Sequence, residues 1–499
     1  MATTPPPEVQ DRTLAELTER CIRSALPALQ AAVDEGLTPE KYSYFVRIER
    51  DADGRRRKTS ADAPLRYSSL LRSEERSWEK GILYSSLDGF DALFEYLHSD
   101  SAYWDYMSGG ERLRRPEAEL DVDDDWPERW FAIQVGSFVS DLVDRHIHVS
   151  GWKFDFGIYL TNYVLLEREL KGQMPDGSPL RVDALIPLYG VTFDTDALDG
   201  EVRIETLQDD QLAASWPGQR MDDDDEGLLL SATHVCVLPG VPVTKDPVAG
   251  WLTPTAWSFD PVDRLLEVLA TSTDHDFGVK HVLYRHDGWS DGWSANGLAG
   301  GAWPWTHDRR TSDLRRSGAP SEPALLDQAV VQRRVVQLVS GRHEPRLAAR
   351  RLLGALCRDD DIDAVIDVCI GIEALVGDSS PQEITYKLAL RSAAVLAQNG
   401  YPHTKTWFGV VKNLYARRSS IVHGKTKADD RNTIKALGGQ YTAHSIGTFV
   451  LNRLLSTVLD KPELGVRASN DDLVLALISQ PEPPDADIDL NRSARQKEG

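Results

Sequence analysis

The chain has 499 residues, 41% hydrophobic and 27% charged, a globular composition that excludes collagen-like, coiled-coil and wholly disordered readings; at roughly 150 residues per domain the length predicts two or three domains. Fifty-six Lys and Arg against 78 Asp and Glu leave a formal charge of −22, which repels nucleic acid over most of the surface, so any site for a polyanion must be local. Four scattered cysteines without a C-x-x-C pair, no signal-peptide pattern at the N-terminus and no apolar run of membrane-spanning length predict a cytoplasmic protein with no disulfide framework and no membrane partner.

In chain order, Leu14, Leu17, Cys21, Ile22 and Leu26 recur near helical spacing before Gly36, which predicts an N-terminal helix within residues 1–35. Residues 36–310 read as a mixed α+β region of one or two subdomains. Within it, Tyr44 to Ile48 alternates like a half-buried strand ahead of a polar turn at 51–57, and Val182 to Phe193 holds apolar runs split by Pro187 and Gly190. Two acidic clusters, at 121–125 and 222–226, lack the ligand spacing of a calcium loop and read as solvated loops. His146 and His148, two apart, would share one face of a strand and could reach a metal, but no third ligand is evident and no metal or cofactor is expected.

Residues 311–322 have the polar, Pro- and Gly-containing composition of a linker. Beyond it, helical patterns follow in series at about 323–341, 345–357, 361–376, 382–398, 404–418 and 430–459, with short connections that predict an antiparallel bundle over 323–462. Residues 481–499 read as a disordered tail. The expected fold class is therefore α+β: a mixed α/β N-terminal region followed by an all-α bundle. Charge separates the two. Residues 351–460 carry 13 basic and 11 acidic side chains, whereas the remainder of the chain holds −24; within 400–435 the balance is eight basic to two acidic. A polyanion would dock there, with Lys412, Lys425 and Lys427 as predicted contacts.

The same stretch reads Asn413-Leu-Tyr415-Ala-Arg417-Arg418-Ser419-Ser-Ile-Val-His423-Gly424. Cleaving a phosphodiester without a metal needs a group that moves protons near neutrality and a fixed cation to stabilise the more negative phosphorane. Imidazole and guanidinium suit these roles. Five helical steps leave Arg418 and His423 roughly 140° apart, so they can share a site only through the reach of the arginine.

This segment, together with Ile362 to Gly377 and its Ile-Glu373-Ala-Leu core, and Glu383 to Ala394, resembles the HEPN superfamily, specifically its ApeA-like domain. The resemblance covers about 100–135 residues, roughly a quarter of the chain. It implies an HEPN-type helical bundle, a metal-independent endoribonuclease site of the Arg-x4-His kind built across a homodimer, and an effector role in antiphage or toxin-type defence, with RNA (tRNA included) as substrate and the N-terminal region responding to an unknown trigger. Carried over, Arg418 and His423 are the catalytic pair, with Arg417 also within the permitted spacing. Ser419 stands where the family often has Asn, and Tyr415 packs against or orients the site. Glu373, a carboxylate in an apolar helix, needs a partner, and Arg391 on the following helix is the expected one, as a structural ion pair. The competing reading is a non-catalytic HEPN module for dimerisation or docking.

Overall fold

A computed structural model describes residues 9–467 apart from 43–45, 61–63, 74–79, 109–125, 196, 199–202, 215–222, 246–251, 255–257, 275, 289–302, 305–322, 359, 378–382 and 425–432, together with Val474. The predicted linker at 311–322, the tail at 481–499, the acidic run at 121–125 and both Lys425 and Lys427 lie outside the described residues.

The N-terminal part is more helical than its sequence suggested. Helix α1 (Arg12–Asp34) starts at Asp11, whose side chain accepts the Leu14 N–H at 2.9 Å, a serviceable N-cap. It packs with α2 (Phe90–Ser99), α3 (Ser101–Ser108), α4 (Trp126–Ser150) and α5 (Phe156–Lys171) into one apolar cluster. In α4 the buried residues Phe131, Val135, Phe138, Val139, Leu142 and Val143 recur at three- and four-residue spacing. The predicted separate N-terminal helix is thus one member of a helical unit that extends to Lys171. A hairpin of β1 (Val46–Arg50) and β2 (Arg56–Ser60) forms around the anticipated 51–57 turn.

His146 and His148 fall on α4, not on a strand. Two residues in a helix are about 200° apart, so they diverge. His146 Nε2 lies 3.2 Å from the Lys153 carbonyl, and His148 Nε2 lies 2.9 Å from the Leu65 carbonyl. The second acidic cluster is likewise not a loop, since Asp223 to Glu226 opens helix α7 (Asp223–Ser231), which follows α6 (Asp209–Ala214).

The middle of the chain builds a seven-stranded antiparallel sheet. With β3 (Leu180–Leu188), β5 (Ala197–Leu198), β6 (Arg203–Thr206), β7 (His234–Lys245), β8 (Leu252–Pro254), β9 (His281–His286) and β10 (Trp303–Pro304), its order is β10-β9-β3-β7-β6-β5, and β8 pairs with the far end of β7; β4 (Val191–Phe193) stands outside it. Strand β3 alternates cleanly. Leu180, Val182, Ala184, Ile186 and Leu188 face the main core, while Leu185 joins Val235, Val237 and Leu283 in a second cluster on the other face. Gly190 ends the run at φ +74, and a Cβ there would lie 1.9 Å from the Asp276 carbonyl oxygen, so the turn into β4 demands glycine.

The C-terminal helices are α9 (Gln328–Ser340), α10 (His343–Leu356), α11 (Asp361–Val376), α12 (Ile384–Ala397), α13 (Thr404–Val422) and α14 (Ala443–Asp460), and helix α8 (Asp260–Ser272), under the sheet, packs on α9, α10 and α14. The predicted helices from 323 to 418 all form, but the last one begins late. Residues 433–442 form instead a hairpin of β12 (Thr433–Ala436) and β13 (Gly439–Thr442), turned by Leu437 at φ +47 and Gly438 at φ +78. Two positive φ values in a two-residue loop match the twist of the flanking strands. The bundle is not walled off from the sheet. One cluster of buried side chains runs from β3 through α8 into α10–α14, and strand β11 (Ala324–Leu326) pairs in parallel with β4.

Candidate active site

Helix α13 carries the candidate site. Its buried face presents Trp407, Val410, Val411, Leu414 and Tyr415 to the bundle. Its last turn closes where His423 N–H bonds the Ser419 carbonyl at 3.1 Å and Gly424, at φ +64, bonds the Ile421 carbonyl at 3.0 Å. Glycine just past the helix end takes this left-handed conformation without steric cost.

Lys412, Ser419 and His423 are all exposed. Seven and eleven residues return to within about 20° of the starting direction, so these three side chains form one outward stripe about 16 Å long. Lys412 also lines a groove of about 640 Å³ with Glu383, Ile384, Thr385 and Tyr386. Tyr386 is 54% exposed and stands edge-on to Phe408 at 5.5 Å between ring centroids. The stripe thus begins beside an open groove with a cation and an aromatic ring, and ends on an imidazole. Val422, next to that imidazole, is 58% exposed.

Arg418 is placed differently. It is half-buried, its Nε shielded from solvent with no hydrogen-bond partner among the described residues. It lies near Cys369 and Glu373 of α11 and Tyr415 of its own helix. Tyr415 Oη donates to the Cys369 carbonyl at 2.8 Å. Burial pushes the Cys369 thiol up to about 12, the Glu373 carboxylate adds to that rise, and Arg418 opposes it. Burial likewise raises the Tyr415 hydroxyl, with Cys369 and Glu373 adding to the shift and Arg418 again opposing it. Neither group is poised to ionise near neutrality, so both are structural donors.

Arg417, 5% exposed, points about 100° away from Arg418 into the bundle, off the outward stripe. Within one chain Lys412, Ser419 and His423 therefore share one outward face without touching, Arg418, Tyr415 and Glu373 lie together on another, and Arg418 is not stacked on His423.

The expected Glu373–Arg391 ion pair is not among the ion pairs of the described residues. Arg391 Nη1 donates instead to the Val376 carbonyl at 3.2 Å, in the last turn of α11, where unpaired carbonyls attract a cation. Glu373 turns to the Tyr415 side. Sequence reasoning also missed Asp367, a buried carboxylate one turn earlier in the chain than Gly371. It accepts from Arg351 Nη1 at 2.7 Å and Arg358 Nε at 3.1 Å, tying α10 and the chain after it to α11. The available signal was an acid in an apolar helix preceded by two arginines. His444 bridges the Asp361 carboxylate at 2.9 Å and the Ala355 carbonyl at 3.0 Å, so it holds α14 to α10 and α11. Among the described residues no group of three or more His, Cys, Asp or Glu could hold a metal ion, and no helix is long and apolar enough to cross a membrane.

The arrangement offers a proton-transfer group, a hydroxyl and an ammonium on one accessible face, with a guanidinium recessed on the adjoining face. Compared with family models, curated proteins and solved structures, the chain has no match in any of the three.

Proposed function

We propose that the protein is a metal-independent endoribonuclease of HEPN type, acting as a defence effector, with a composite active site formed when two copies pair through the end of α13. The observation that carries this reading is the exposed His423 at the end of a stripe that also holds Ser419 and Lys412, with Arg418 recessed one face away. A single chain leaves guanidinium and imidazole apart. A twofold axis near the helix end brings one chain's imidazole to its partner's guanidinium. The apolar Val422 beside His423 gives such a pairing something to bury.

In the reaction the ribose 2′-oxygen attacks phosphorus and the bond to the 5′-oxygen breaks. One proton leaves the 2′-hydroxyl and one reaches the departing oxygen. His423 carries out one of these transfers, Arg418 stabilises the crowded phosphate, Ser419 hydrogen-bonds to it, and Lys412 holds the strand along the stripe. The acidic remainder of the molecule restricts RNA to this face.

Total RNA or tRNA incubated with the purified chain in EDTA should be cut, and His423→Ala should lower the rate by about 10²- to 10⁴-fold. Its melting temperature should stay unchanged, because the side chain is exposed. Equal cleavage by variant and parent removes the proposed role of His423. A second reading, a non-catalytic docking module, is favoured by the position of Arg418 against Tyr415 and Cys369. It predicts no cleavage by either protein.

A further inference from the structure

A second cavity lies between α8 and α10, where the sheet half meets the bundle. It encloses about 500 Å³ and is lined by Asp260, Asp263, Arg264 and Glu267 from α8 and by Arg346 and Arg350 from α10. Three carboxylates and Arg264 on one wall therefore face two guanidiniums on the other. Glu267 is only 3% exposed. Its Oε1 receives a long 3.4 Å bond from Arg350 Nε, while its Oε2 is shielded from solvent and has no partner among the described residues. Burial raises this carboxyl above its ordinary value, and Arg350 and Arg346 only partly offset the shift. A buried acceptor left unpaired is destabilising, more so when charged, so the Glu267 carboxylate has an unmet demand for a donor. On the opposite wall Arg346 makes no ion pair or hydrogen bond among the described residues, and Arg350 engages Glu267 through its Nε.

A ligand of one sign would be attracted by one set of charges and repelled by the other. A molecule with both signs, a few ångströms apart, complements both. The volume falls in the range of small-molecule sites. We propose that this seam binds a small zwitterion of the amino-acid or short-peptide class, with its carboxylate on Arg346 and Arg350 and its protonated amine against the Glu267 carboxylate. The proposal is independent of the ribonuclease reading.

Thermal unfolding and titration calorimetry of the full chain test it, with the twenty L-amino acids and dialanine as probes and inorganic phosphate as a plain-anion control. At least one zwitterion should bind. Its N-acetylated and C-amidated forms should each bind at least about tenfold more weakly, a loss of about 1.4 kcal/mol, and so should the parent ligand with Glu267→Gln or with Arg346→Ala. Arg346 is half-exposed, so its variant keeps the test valid if Glu267→Gln fails to fold. Binding of no probe at about 10 mM, equal binding of the blocked forms, or phosphate binding as tightly as the zwitterion overturns the proposal.

Discussion

A carboxylate at position 373, inside the apolar stretch Val368 to Val376, has to meet a donor or a cation. Which donor depends on how two helices are rotated, and that is invisible in one sequence. Arg391 Nη1 donates to the carbonyl of Val376, and Glu373 lies toward Tyr415 and the Arg418 side of α13. The outward stripe of Lys412, Ser419 and His423 follows from helical period only once the helix runs on to Val422, four residues past its predicted end at 418. The recessed position of Arg418 was not legible, beyond the 140° offset that the spacing already imposed. Tyr415 anchors this junction through its buried hydroxyl on the Cys369 carbonyl. Tyr415→Phe should lower stability by about 1 kcal/mol, read as a lower urea midpoint at unchanged slope. An unchanged midpoint would mean that the hydroxyl makes no net contribution there.

Helices between residues 328 and 422 were readable from three- and four-residue apolar spacing and from terminators such as Gly377 and Gly400. The hairpin at 433–442 was hidden inside an apparently helical run, because Ile434, Leu437 and Tyr441 also fit helical spacing; only Gly438-Gly439 hinted at a turn. Helices α2 to α5 were missed for a related reason. Their aromatic and β-branched residues favour strands intrinsically, and tertiary packing overrides that preference. Between α11 and α14 the packing is set by Gly371, where a Cβ would sit 2.6 Å and 2.9 Å from the two methyl carbons of Leu451. Gly371→Ala gains helix propensity of about 1 kcal/mol but overpacks the contact by about 1–3 kcal/mol. A net loss of melting temperature is expected, and a second change, Leu451→Ala, should relieve part of the clash. A more stable single variant would show that the two helices are free to separate.

Across the whole molecule, apolar patterning predicted the α+β class and charge predicted where a polyanion could approach. The division at 311–322 carried less meaning than its composition implied, since the segments on either side share one continuous core and the β4–β11 pairing crosses it. A fragment beginning at residue 323 would expose the apolar face that α8 and the sheet cover, so function is best measured on the full chain. The account's central claim is that RNA is cut at a site completed by two copies, His423 from one and Arg418 from the other. The most direct measurement mixes two inactive full-length variants, Arg418→Ala and His423→Ala, allows subunits to exchange, and follows RNA cleavage in EDTA. Half of the resulting dimers are mixed and each holds one complete site, so about a quarter of the parent activity should return. Parent protein that leaves RNA intact, or a mixture as inactive as its two components, would contradict the claim.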